Sequence, residues 1–292
     1  MGNLMVPALQ SCVSQKSTVT GVPPRRRGQH FLVDAEVVHR IIEAAQIQPY
    51  ESVLEIGPGK GALTRGLIER ARSVLAVEID GALFRKLEME FTNSNNLRLL
   101  REDILHVSFS ELVRWAGSPK LVVVGNLPYY ITSPVVSKLV DNHMFVERAI
   151  LMVQREVGRR ITAAPGSKSY GMLSVMVQLR AEPRLLFDIP PNYFQPKPRV
   201  YSSLLRLSFR ESLPVNIEDK RIFFSTVKSA FSTRRKMLKN SLRSLPGLTA
   251  ESLQIVAAKA GIDLRRRAET LSLEEFAALS NAIAHLVSYP KR

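Results

Sequence analysis

The chain has 292 residues, 45% of them hydrophobic and 23% charged, which is enough for one large core and a smaller appended domain. No apolar run reaches the roughly 20 residues of a membrane helix, and no compact apolar centre marks a secretory signal, so a cytoplasmic protein without membrane contact is expected. The single cysteine, Cys12, excludes disulfides within the chain and cysteine-rich metal or iron–sulfur sites. The five histidines, at 30, 39, 106, 143 and 285, show no metal-ligand spacing, and no metal is assigned.

The net charge of +15 is unevenly placed. Residues 34–194 hold 19 Lys and Arg against 18 Asp and Glu, residues 195–292 hold 18 against 8, and residues 1–33 add four basic residues and no acid. A near-neutral body flanked by two basic segments points to a polyanionic partner, most simply nucleic acid, because clustered cations gain affinity by releasing condensed counterions.

Residues 1–27 show no sustained period and end in Arg25-Arg26-Arg27, and they read as a flexible basic tail. A basic arm for RNA is favoured over an organellar transit peptide, since no amphipathic helix is evident. Asp34 can cap a helix carrying Val37, Val38, Ile41, Ile42 and Ala45 at helical spacing. Strands follow at Ser52–Ile56, Val74–Val77, Leu97–Leu100 and Leu121–Val124, with helices at Ala62–Ala71 and Gly81–Glu90 between the first three. After a turn at Asn126 come a helix over Pro134–Val140, a strand over Arg148–Val153 and a polar segment to Arg160. Residues 163–170 form a loop rich in turn formers, a candidate lid. A helix over Tyr170–Leu179 precedes strands at Arg184–Asp188 and Val200–Phe209, an antiparallel pair with a proline-stiffened tip.

From about Leu213 only helices are expected: Asp219–Phe231, a basic helix Arg234–Leu242, and helices from Thr249 and Ser272. Strands alternating with helices imply an α/β fold, a doubly wound Rossmann-like sheet ending in an antiparallel pair, with a small all-α C-terminal domain. The expected division is therefore a tail at 1–27, a catalytic domain at 28–212 and a helical, RNA-binding domain at 213–292.

Gly57, Gly59 and Ala62, with Glu78 about 20 residues on, fit the glycine-rich dinucleotide fingerprint, and alone they favour a nicotinamide enzyme. Glu55 and Pro58 argue otherwise. A carboxylate beside the loop repels a pyrophosphate but suits the ammonium of S-adenosylmethionine. On that reading Gly57 admits the methionine portion, Glu78 takes the ribose hydroxyls, and Asp103 accepts from the cofactor's adenine amine.

The buried run Val122–Val124 ends in Gly125-Asn126-Leu127-Pro128-Tyr129, and in parallel sheets ligands bind beyond the carboxyl ends of the strands. An adenine exocyclic amine is a poor nucleophile whose lone pair is delocalised. Accepting its hydrogen bonds favours a tetrahedral nitrogen aimed at a methyl donor. Asn126 offers a side-chain carbonyl, Pro128 biases Leu127 toward an extended conformation that turns a main-chain carbonyl inward, and Tyr129 offers a flat face. Phe194, on the proline-stiffened tip, is a candidate second stacking surface for an extruded base.

Taken together, these motifs resemble the small-subunit rRNA adenine N6-dimethyltransferases of the KsgA type. The resemblance runs from Gly28 to about Ala284 and rests on Gly28-Gln29-His30-Phe31-Leu32, Glu55-Ile56-Gly57-Pro58-Gly59, Glu78-Ile79-Asp80, Asp103 and Asn126-Leu127-Pro128-Tyr129. Further matches are Gln154-Arg155-Glu156-Val157, Phe194-Gln195-Pro196-Lys197-Pro198, Phe231-Ser232-Thr233-Arg234-Arg235-Lys236 and Arg267-Ala268-Glu269-Thr270-Leu271-Ser272. It implies cofactor contacts at His30, Leu32, Gly57, Glu78, Asp103 and Asn126, and a catalytic set of Asn126, Leu127, Pro128, Tyr129 and Phe194 around the target base. The family more often has Asn where this chain has His30, which favours a main-chain contact there. The implied reaction moves methyl groups from S-adenosyl-L-methionine to two adjacent adenines in the 3′-terminal hairpin of small-subunit rRNA. The implied partner is a pre-30S-type ribosomal particle, and the protein is expected to act as a monomer during ribosome biogenesis.

Overall fold

The computed structural model describes residues 29–233 and 235–286, and the tail expected over 1–27 lies outside them. Two compact units are present. One is an α/β unit reaching to Arg159 and including Ala181–Glu211; the other is a helical unit made of Arg160–Arg180 and the chain from Ser212. The helical unit therefore takes in residues 160–180, which lie upstream of the expected boundary at 212/213.

In the α/β unit the chain runs β1 (Phe31–Leu32), α1 (Ala35–Ala45), β2 (Ser52–Ile56), α2 (Thr64–Arg70), β3 (Ser73–Val77), α3 (Gly81–Glu90), β4 (Leu97–Leu100), α4 (Phe109–Ala116), β5 (Leu121–Asn126), α5 (Thr132–Asp141) and β6 (Val146–Gln154). After α6 (Arg155–Ile161) and α7 (Met172–Arg180), the latter in the helical unit, come β7 (Ala181–Ile189), β8 (Phe194–Gln195) and β9 (Ser202–Phe209).

The seven-stranded sheet has the order β4-β3-β2-β5-β6-β9-β7. Its first five strands are parallel, β9 is antiparallel to β6, and β7 is antiparallel to β9. β1 and β8 pair separately, antiparallel, with Leu32 opposite Phe194. Every residue of β2 and the first five of β5 are buried, as expected of central strands covered on both faces. Gly125 is needed where β5 meets β2, because a Cβ there would lie 2.9 Å from the Ile56 carbonyl oxygen. Asp34 caps α1 by accepting from Val37 N at 2.9 Å, as anticipated.

Several other expectations are corrected. α4 went unanticipated although Phe109, Leu112 and Ala116 form its buried face; it is short and Ser108 makes no side-chain cap bond. The polar segment after Gln154 is helical as α6. The loop at 163–170 is not a free lid: within the helical unit Gly166 N donates to Glu269 O at 2.7 Å, and Tyr170 is buried edge-on to Phe231.

The helical unit also contains α8 (Lys220–Phe231), α9 (Leu238–Ser241), α10 (Ala250–Ala260) and α11 (Leu273–Leu286) around Phe223, Leu253 and Phe276. The basic helix expected over 234–242 shrinks to the single turn of α9. Lys236 N closes a turn on Thr233 O, and Met237 is extended, which stops a helix from propagating through it. Capping boxes start α10 at Thr249 with Ser252 and α11 at Ser272 with Glu275.

Candidate active site

A cavity of about 350 Å³ opens in the α/β unit beyond the carboxyl ends of β2, β3 and β5. Parallel strands end on one rim, so the loops that follow them converge there. His30, Leu32, Gly57, Glu78, Asp103, Asn126, Leu127, Pro128 and Tyr129 all line it, together with Glu55. Phe194 does not: it is 3% exposed, opposite Leu32 and inside the core cluster. The second stacking surface expected of it is thus replaced by packing, because strand pairing with β1 turns it inward.

The loop after β2 passes through Gly57 at φ +67°, left-handed backbone that glycine adopts freely, and nothing stands within 4 Å of where its Cβ would be. Glu78, at the end of β3, is 3% exposed. Its Oε2 accepts from Gly59 N at 3.1 Å and its Oε1 from Asp80 N at 2.9 Å, so one carboxylate ties the glycine loop to the start of α3. Burial pushes this carboxyl above its usual range, and the two amides oppose that shift.

Glu55 is 1% exposed and accepts from Thr64 Oγ1 at 2.7 Å. Burial pushes its carboxyl up to about 8; the Thr64 hydroxyl works against that rise and the charge of Glu78 adds to it. In the free protein at neutral pH this acid holds its proton.

Asp103 Oδ1 accepts from Leu105 N at 2.9 Å, and Oδ2 lies 3.7 Å from His106 Nδ1. Lys138 of α5 donates to the Leu105 carbonyl at 2.6 Å, which fastens this loop to the helix that follows the Asn126 turn. Burial lowers the Lys138 ammonium's affinity for its proton, with Asp103 opposing.

Asn126 is the last residue of β5, and its Nδ2 donates to the His30 carbonyl at 2.8 Å. A carbonyl only accepts, so the amide nitrogen must face it and Oδ1 is left to accept elsewhere. His30 Nδ1 in turn donates to Pro196 O at 2.6 Å, leaving its main chain as the tie to Asn126. Leu127 is buried, and the Pro128 carbonyl closes a 3-10 turn over Tyr129–Ile131 by accepting from Ile131 N at 3.1 Å. The Tyr129 ring lies 5.4 Å from that of His30 at 37°, and its hydroxyl is 2.9 Å from Ser202 Oγ. Burial pushes the phenol upward, so it stays protonated. Thr64 and Ser202 were not foreseen; nothing local in the sequence marks either. Among the described residues no group of three or more His, Cys, Asp or Glu is placed to hold a metal ion.

A doubly wound sheet with a glycine loop after its first core strand and acids after the next two defines a Rossmann-like α/β methyltransferase. Within that class the chain belongs to the ribosomal RNA adenine dimethylase family, whose model matches residues 24–285. It is 45% identical over 272 residues to a ribosomal RNA small subunit methyltransferase A of Moorella thermoacetica, covering 90% of this chain and 93% of the relative. A protein of the same description from Clostridium botulinum is 43% identical over 256 residues, 88% of this chain and 92% of its own. Among solved structures, a dimethyladenosine transferase of Plasmodium falciparum shares the fold with a TM-score of 0.72 at 24% identity, covering 86% of this chain and 96% of that one. The 23S rRNA methyltransferase ErmE aligns with a TM-score of 0.66 at 27% identity over 86% of this chain and 98% of its own.

Proposed function

We propose that this protein transfers methyl groups from S-adenosylmethionine to the exocyclic N6 of adenines in small-subunit rRNA, producing N6-dimethyladenosine. The observation that carries the reading is the fixed amide of Asn126, whose Oδ1 is left to accept at the rim of a carboxyl-lined cavity.

The cavity residues suit this donor better than a dinucleotide. Glu55, Glu78, Glu102 and Asp103 line it, whereas Lys60 is the one lysine or arginine among its lining residues, and the Lys60 ammonium lies 5.0 Å over the Phe31 ring. Such a donor set favours a cationic, hydroxyl-rich ligand and disfavours a pyrophosphate. The volume falls within the roughly 300–1,000 Å³ of small-molecule sites. On this reading the residues that hold the cofactor are His30 and Leu32 through the β1 segment, Gly57, Glu78, Asp103 and Asn126. The second lone pairs of the Glu78 oxygens take the ribose hydroxyls, and Asp103 takes the adenine amine.

The cofactor supplies a methyl group made electrophilic by its sulfonium. Asn126 Oδ1 accepts one N–H of the target amine, and the Leu127 carbonyl accepts the other, since the Pro128 carbonyl is occupied by the turn. The amine nitrogen becomes tetrahedral and presents its lone pair for in-line attack on the methyl carbon, so that the N–C bond would form as the carbon–sulfur bond breaks and its electron pair leaves with the neutral thioether. After transfer it sheds one proton, and because an N-methylated adenine ammonium is strongly acidic, water suffices as the base. Tyr129 offers the base its ring face. Positioning and hydrogen bonding carry the rate, with no catalytic thiol or imidazole required.

The substrate we assign is the adjacent adenine pair of the 3′-terminal hairpin, presented on a pre-30S-type ribosomal particle and met by a monomer in the cytoplasm. Among the described residues no helix is long and apolar enough to cross a membrane. Residues 28–212 are assigned methyl transfer and 213–292 RNA binding, where Arg235, Lys236, Lys239, Arg243 and Arg267 are exposed.

Labelled S-adenosylmethionine and unmethylated small-subunit particles, followed by nucleoside mass analysis, test the proposal. N6-dimethyladenosine is the expected product, and its absence would defeat the assignment. Stabilisation by NAD rather than S-adenosylmethionine in a thermal shift would revive the nicotinamide reading.

A further inference from the structure

Ser202 is the first residue of β9, opposite Gln154 at the end of β6 and Ile189 at the end of β7. β9 runs against the parallel strands, so its first residue reaches the rim where β5 delivers Asn126. A parallel strand would bring its last residue there instead. The Ser202 side chain is fully buried, with its Oγ 2.9 Å from the Tyr129 hydroxyl. A buried hydroxyl without a partner is costly, and here each of the two satisfies the other.

Tyr129 is held from two directions. Ser202 fixes the hydroxyl end, and His30, itself anchored on the Pro196 carbonyl, lies beside the ring. The phenol is thereby engaged at its polar end, which leaves the ring face as its contribution to a ligand. We infer that Ser202 is a positioning residue of the acceptor site: it sets the plane of the Tyr129 ring against which the target adenine lies. This rests on the reading of Tyr129 as an acceptor-site residue.

A double-mutant cycle tests it, with Ser202→Ala, Tyr129→Phe and the pair assayed on unmethylated small-subunit particles. Both single variants lose the same hydrogen bond, so each is expected to lower kcat/KM for RNA by roughly three- to tenfold while S-adenosylmethionine affinity is unchanged. In the Tyr129→Phe background Ser202→Ala is expected to add less than about twofold, since its partner is already gone. A folding defect would act equally in both backgrounds. An undiminished Ser202→Ala effect on top of Tyr129→Phe, or no effect of Ser202→Ala alone, overturns the positioning role while Tyr129→Ala remains strongly impaired. Full activity of Tyr129→Ala overturns the acceptor reading itself, and the inference with it.

Discussion

Replacing Glu55 by glutamine is expected to stabilise the protein at neutral and higher pH and to leave it unchanged near pH 4. Glu55 is 1% exposed, and burial moves its carboxyl from an ordinary 4.5 to about 8. Between those two values the unfolded chain carries the ionised group while the folded chain holds the proton. The unfolded state then binds fewer protons, so stability falls as pH rises through this window, by about 1.4 kcal/mol per pH unit. Below the window both states are protonated and the difference vanishes; above it the penalty is constant. By pH 7 the accumulated loss is roughly 3 kcal/mol, an upper figure because denatured chains and penetrating water soften burial. Glutamine matches the volume, and its Oε1 can still accept from Thr64 Oγ1, so the substitution removes the titration and keeps the contact. At about 2–4 °C per kcal/mol for a chain of this size, Tm should rise by about 6–12 °C near pH 7. Thermal melts of both proteins from about pH 4 to 8 give the difference curve. A gap that does not vary with pH, or a glutamine variant that melts lower near pH 8, would refute the argument. The same substitution removes an anion that a bound sulfonium cofactor would call into its ionised state. Affinity for S-adenosylmethionine is therefore expected to fall, a trade of function for stability.

Asn126→Ala should reduce methyl transfer by roughly 100-fold or more and weaken S-adenosylmethionine binding far less, because the amide acts chiefly on the acceptor amine and other residues still hold the cofactor; equal losses in both would make Asn126 merely structural. Gly57→Ala should cost only about 1 kcal/mol of stability from left-handed strain, since its Cβ meets nothing within 4 Å, yet should weaken S-adenosylmethionine binding at least about tenfold. Titration calorimetry with unchanged affinity would show that the ligand does not approach there. Glu78→Gln should lower both stability and cofactor affinity, because a glutamine nitrogen would face one of the two amides that the carboxylate accepts. A melt higher than wild type would contradict the assigned bonds.

The central strands β2, β3 and β5 were readable because they are buried on both faces, and the partly exposed edge strand β4 by its short apolar run. β2 and β4 fall on the expected residues, and β3 and β5 differ only at their ends. The glycine loop, Glu78, Asp103 and Asn126 were readable for a related reason: strand alternation alone places them on one rim. What escaped depends on register between distant segments. Tyr129 and Ser202 are 73 residues apart, and only the antiparallel return of β9 joins them. Phe194 was placed at the site from its proline-rich surroundings, yet two residues of pairing with β1 bury it. Likewise, helical spacing over 172–180 reveals a buried face but not which unit it packs against.

The chain's charge pattern follows from needing two ligands of opposite sign. A polyanion is gathered by counterion release, a long-range effect that needs cations spread over a surface; the +10 balance of residues 195–292 suits it. A sulfonium needs anions at short range in a low-dielectric cavity, where solvent screening is weak. The four carboxyls lining it would repel an approaching phosphate backbone if all were ionised and exposed, as Glu102 is. Glu55 and Glu78 are instead buried, with their carboxyls pushed toward the neutral form, and Asp103 bonds to its own loop. The free cavity is thus less negative than its composition suggests, and its anionic character is developed by the arrival of a cation. Cofactor binding should therefore release protons, which calorimetry in two buffers of different ionisation enthalpy measures directly. Buffer-independent heats would show that Glu55 keeps its proton on binding.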